Sequence, residues 1–137
     1  MDAIRIQKIR IGHGIARCYL ELAVDTPRYT NPDLIASVVR DHPDLPRHAC
    51  VNSVGPLFGD VIDRTSIPHL FEHLVIDQQV ADEPEGLDRQ VTYTGTTEWL
   101  DEERGLALVC VSFRDDLCVL RAMGDTAAYL NALISQK

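Results

Sequence analysis

The chain has 137 residues, 45% of them hydrophobic and 25% charged, which is enough to close one core without staples, so residues 1–137 are expected to form a single domain. A formal net charge of −8 argues against a nucleic-acid binder, which needs a basic stripe. No apolar run reads as a membrane span and Met1-Asp2-Ala3-Ile4-Arg5 does not begin a signal peptide, so a cytoplasmic protein with no membrane partner is expected.

In chain order, Ile4-Arg5-Ile6-Gln7-Lys8-Ile9 alternates apolar and polar residues and predicts a half-buried strand. After the turn Gly12-His13-Gly14 comes a second alternating run, with Ala16, Cys18, Leu20, Leu22 and Val24 on one face and Arg17, Tyr19 and Glu21 on the other. Asn31 followed by Pro32 starts a helix that runs through Leu34, Ile35, Val38 and Val39 to about Asp41, where Pro43 and Pro46 stop it. The stretch from Val54 to Asp60 reads as a loop, and Thr65 to Ala81 as a second helix capped by Thr65 or Ser66, with Pro68 in its first turn.

A solvated turn is expected at Asp82-Glu83-Pro84-Glu85-Gly86 and a strand over Gln90–Leu100, bent at Gly95. Asp101 to Gly105 makes a hairpin turn into Leu106–Phe113, whose near-continuous apolar run predicts a central strand covered on both faces. Asp115 or Asp116 caps a last helix, with Leu117, Val119, Leu120, Met123, Tyr129, Leu130, Leu133 and Ile134 in its apolar set and Gly124 as a point of kinking or division. The order strand-strand-helix-helix-strand-strand-helix implies an α+β sandwich with antiparallel strands on one side and helices on the other.

The second helix carries the chemistry. His69-Leu70-Phe71-Glu72-His73 has the H-x-x-E-H order of the inverted zinc metallohydrolases. One helical turn separates the two histidines, so their imidazoles stand one above the other with Glu72 on the same face, while Ile67, Leu70, Phe71, Leu74 and Val75 take the arc that packs on a sheet. Two imidazoles so placed can hold a divalent metal, and a carboxylate beside them can take a proton from its water. The residues alone leave the third ligand open among Cys50, His48, Asp77 or a distant side chain. Asp77, one turn further along the same face, suits a carboxylate that orients a ligating imidazole. His13 and His42 read as turn or surface residues. Cys18, Cys110 and Cys118 read as buried thiols, with no C-x-x-C spacing among the cysteines to suggest a disulfide or metal clip.

From about Ile15 to Phe113 the chain resembles the amino-terminal domain of cyanophycin synthetase. The resemblance is carried by L-P-R-H-A-C at 45–50, by Phe58, by T-S-I-P-H-L-F-E-H-L-V-I-D-Q-Q at 65–79 and, more loosely, by V-T-Y-T-G-T-T at 91–97 and the strand G-L-A-L-V-C-V-S-F. It implies a metallohydrolase-like domain that cuts an Asp-Arg polymer, with His69, His73 and Cys50 as metal ligands and Glu72 as general base. Zinc is favoured by the two-nitrogen, one-sulfur donor set. Metal would bring the pKa of bound water from about 15.7 towards about 7, and Glu72 would take its proton and return it to the leaving amine. Where that family tends to place a basic segment this chain has Thr94-Gly95-Thr96-Thr97, and no ligase domains follow Lys137. The expectation is therefore a freestanding hydrolase, with the bond-breaking residues retained and a pocket wall of its own.

Two other readings compete. An enzyme similar to S-ribosylhomocysteine lyase would take its thiolate from Cys110 or Cys118. A peptide- or polymer-binding module without catalysis would have no metal or a closed, four-ligand shell completed by His48 or Asp77.

Overall fold

The computed structural model describes residues 2–83 and 92–135. The order of elements is the expected one: strands β1 (Ile4–Gly12) and β2 (Ile15–Leu22), helices α1 (Pro32–Asp41) and α2 (Ile67–Ala81), strands β3 (Gly95–Asp101) and β4 (Leu106–Ser112), and helix α3 (Asp116–Ser135). Short 3₁₀ turns at Leu45–Arg47, Phe58–Asp60 and Ile62–Arg64 fill the connection between the first two helices. All pairings are antiparallel, in the order β1-β2-β4-β3, which leaves β3 on an outer edge.

The β1–β2 turn is two residues long, and both His13 (φ 54°) and Gly14 (φ 75°) take the left-handed conformation that such a turn needs if it is to match strand twist. Alternation then sends Ala16, Cys18, Leu20 and Leu22 of β2, with Ala107, Val109 and Val111 of β4, onto the inner face. α2 and α3 pack there, α2 burying Ile67, Leu70, Phe71, Leu74 and Val75. Each such side chain contributes about 1.5–3 kcal/mol on leaving water.

Several expectations change. Val24 lies beyond the end of β2 and is 93% exposed, because the chain turns at 24–26 before another inward position is reached. β4 is central in pairing order but covered on one face only: Leu106, Leu108 and Cys110 stay half-buried on the outer face, so Cys110 is not a core residue. Leu117 (74% exposed) and Leu120 fall on the solvent side of α3. Gly124 does not divide that helix, which runs unbroken through 20 residues from an Asp115 cap whose Oδ1 accepts from the Cys118 N–H at 3.1 Å. α3 is also long and apolar enough to cross a membrane, contrary to the sequence reading, though it buries Val119, Ala122, Met123 and Leu130 in the core. β3 begins at Gly95, with 92–94 outside the strand, while Gln90, Val91 and most of the turn after Ala81 lie outside the described residues.

Candidate metal centre

Local chemistry builds the two sides of the site. On one side, Ser66 caps α2, its Oγ accepting from the His69 N–H at 3.1 Å, which leaves Thr65 outside the helix. Thr65 Oγ1 stands 2.8 Å from His69 Nδ1, four residues on and one turn up. On the other side, the 3₁₀ turn at Leu45–Arg47 delivers an extended segment bridged back to Leu57. Phe58 N–H donates to His48 O at 2.8 Å, and Cys50 N–H to Pro56 O at 3.0 Å. Asn52 closes the intervening loop by accepting the Val54 and Gly55 N–H groups at 2.9 and 2.8 Å. His48 and Cys50, two residues apart on extended chain, therefore point the same way, towards α2.

The donor atoms of Cys50, His69 and His73 come together within 4.8 Å of one another, with Cys50 Sγ 3.5 Å from His69 Nε2. This group could hold a metal ion. Both imidazoles have Nδ1 engaged, His69 by Thr65 and His73 by His48 Nδ1 at 3.1 Å, so each keeps Nε2 for a cation. Burial keeps both rings neutral, as ligands must be. Desolvation lowers the pKa of His69, and desolvation with the charges of His69 and His48 takes His73 down to about 3. Phe58, fully buried, stacks on the His73 ring at 3.9 Å and meets His69 edge-on at 4.9 Å, holding both rings against rotation.

Glu72 is buried beside them, with Oε2 3.7 Å from His73 Nε2 and Oε1 accepting from Thr97 Oγ1 at 2.7 Å. Desolvation raises its pKa, against the opposing effects of the Thr97 hydrogen bond and the His48 charge. β3 presses against this carboxylate so closely that a Cβ at Gly95 would lie 2.8 Å from both Glu72 Cγ and Oε2. A pocket of about 600 Å³ opens over the group, walled by Cys50, His69, Glu72 and His73 on one side and by Thr92–Thr97 on the other.

Asp77 and His48 were both expected near the metal; they reach it in series. Asp77 Oδ1 is 3.4 Å from His48 Nε2, and it is His48, not Asp77, that touches His73. Asp77 Oδ2 is 2.8 Å from His42 Nδ1, so His42 is no bare surface residue but the outer end of the same chain of contacts. Hydrogen bonds from His42 and then His48 hold the Asp77 carboxyl well below the usual carboxylate range. Sequence reasoning also missed Thr65, Thr97 and the packing role of Gly95. Only Thr65 had a local signal, its spacing of four from His69. Cys110 on the outer sheet face and Cys118, 4.0 Å from Asp82, lie outside the Cys–His–His group. Comparison of the chain with models of known protein families, with curated proteins and with solved structures finds no match.

Proposed function

We infer that the protein is a metal-dependent hydrolase of amide bonds, with Cys50, His69 and His73 as ligands and Glu72 as general base. The observation that carries this reading is the convergence of one thiol and two neutral imidazoles beside a buried carboxylate in an open pocket. Two nitrogens and a sulfur favour zinc. His48 is engaged with His73, and Asp77 with His48, which supports a three-ligand site with one position left for water.

A divalent ion held there supplies acidified water and a polarised carbonyl. The protein's part is proton handling and orientation. Thr97 fixes Glu72 through Oε1 and leaves Oε2 turned towards His73. Burial raises the basicity of Glu72, which suits it to take a proton and pass it to the leaving amine. The resemblance to the amino-terminal domain of cyanophycin synthetase supports a peptide or Asp-Arg-type polymer as substrate. Among the described residues that line the pocket there is no Lys or Arg, which supports a substrate that is not gripped through carboxylates.

The test is elemental analysis of protein purified without chelators, with a mass-spectrometric cleavage assay on a mixed peptide pool and on an Asp-Arg polymer. One zinc per chain, and a Glu72→Gln protein that keeps the metal but loses cleavage, are expected. Protein without stoichiometric transition metal, or undiminished cleavage by Glu72→Gln, overturns the reading.

A further inference from the structure

β3 ends the sheet, and among the described residues no strand pairs with its outer side. Antiparallel pairing alternates which residues turn their N–H and C=O groups to the neighbour. Ser112 N–H donates to Thr94 O at 2.8 Å, and the register continues as Gly95↔Val111, Thr96↔Cys110, Thr97↔Val109 and Glu98↔Leu108. Thr96 and Glu98 therefore spend their backbone groups on β4, whereas Gly95 and Thr97 turn theirs outwards.

That outward edge meets the pocket. Thr96 and Thr97 point their side chains to opposite faces of the sheet, yet both line the same cavity, so the cavity reaches from the α2 side to the strand's edge. Opposite stand Cys50, His69 and His73. The near contact of Gly95 with Glu72 sets how close this edge comes to the base: no side chain intervenes. A chain laid against β3 would run about 4.8 Å from it, the spacing of neighbouring strands. A chain so placed would enter the pocket that Cys50, His69 and His73 also line.

We propose that the substrate is an extended, unbranched polypeptide that binds as an added strand on β3, its main chain paired with Gly95 and Thr97. This rests on the hydrolase reading and specifies its substrate class. Recognition through main-chain groups gives affinity largely independent of side-chain identity, with side chains alternating between pocket and solvent. On the 92–97 side the lining offers hydroxyls rather than charges, and the net charge of −8 favours cationic peptides at the encounter stage. A small-molecule amide, or an amide on a branched side chain, has no second main-chain group with which to occupy the edge.

The experiment uses full-length, zinc-loaded Glu72→Gln protein and the blocked peptide acetyl-Ala-Arg-Ala-Arg-Ala-Arg-amide. Binding is expected to slow amide hydrogen exchange at Gly95 and Thr97 about tenfold or more, while Thr96 and Glu98, already bonded to β4, stay unchanged. The same peptide with every main-chain nitrogen methylated is expected to bind at least about tenfold more weakly, since it has lost its main-chain donors. Failure of the parent peptide to bind, binding without slowed exchange at Gly95 and Thr97, or equal affinity for the methylated peptide each overturns the proposal. Zinc content and cleavage of the parent peptide by unsubstituted protein are read in parallel. Zinc with cleavage but no edge protection removes the added strand and leaves the hydrolase; absence of zinc removes both.

Discussion

The Nδ1 atoms of His48 and His73 stand 3.1 Å apart, so one ring must donate to the other. If His73 offers Nε2 to a cation, its Nδ1 carries the proton and His48 Nδ1 accepts. His48 must then carry its own proton on Nε2, which faces Asp77 Oδ1 at 3.4 Å. The carboxylate thus sets the tautomers of two histidines in turn and leaves a lone pair aimed at the metal position.

Asp77→Asn interrupts this order, because an amide can present N–H where His48 needs an acceptor. Metal affinity is expected to fall about 10–100-fold with the fold retained. Competition against a chromophoric chelator measures the affinity and circular dichroism the fold. Unchanged affinity would reduce the His42–Asp77–His48 chain to packing.

Gly95→Ala puts a methyl where Glu72 already sits, 2.8 Å from its Cγ and Oε2. The variant is expected to lose about 1–3 kcal/mol of stability or to displace Glu72 and lose turnover while keeping metal. Gly124→Ala is the contrast: nothing lies within 4 Å of the added carbon in the middle of α3, and a gain of about 0.5–1 kcal/mol is expected there. Urea unfolding of both variants decides the matter, and a neutral Gly95→Ala with full activity would mean the β3–Glu72 contact is slack.

The fold was legible where the local signal and the tertiary environment agree. Asn31-Pro32 caps α1 because side-chain and backbone preferences coincide there, and Ser66 does the same for α2. Val24 misled because the chain turns away before that inward position is reached, and Leu117 and Leu120 because an apolar residue near a helix start does not reveal that its face meets solvent. At the site, H-x-x-E-H announces itself because one helix supplies three groups at fixed spacing. Cys50 needed the resemblance, since the bridge that brings it to His69 depends on Pro56–Phe58. Thr97 and His42 reach Glu72 and Asp77 across 25 and 35 residues of sequence, distances at which spacing carries no information.

Glu72 is expected to make the metal-free protein less stable at neutral pH. Its pKa is raised by burial, so the folded state holds the proton to higher pH than the unfolded chain does. The stability this lends is complete below the ordinary glutamate value and is lost as pH rises through the folded pKa. Glu72→Gln keeps an acceptor for Thr97 and carries no charge. The metal-free variant is expected to exceed the parent by about 0.5–2 kcal/mol at pH 7 and to match it near pH 4. Thermal melts across that range check it; a constant difference at all pH values would assign the effect to packing.

Acid should unfold the metal-free protein through its ligands. Burial, the main cause, takes the His73 pKa from its ordinary 6.5 down to about 3, and His69 is shifted in the same direction. Below pH 6.5 the unfolded chain therefore binds more protons, so stability falls with falling pH until the folded value is passed. Each such group contributes a slope of about 1.4 kcal/mol per pH unit in that window. Asp77, shifted below its ordinary range, extends the loss to lower pH as its hydrogen bonds from His42 and His48 fail. His73→Gln removes one titrating group, and its stability profile between pH 6.5 and 4 is expected to be flatter than the parent's, whatever the offset at pH 7. Parallel profiles would show that His73 accepts its proton in the folded state without penalty, and the neutral imidazole needed for a metal would lose its physical basis.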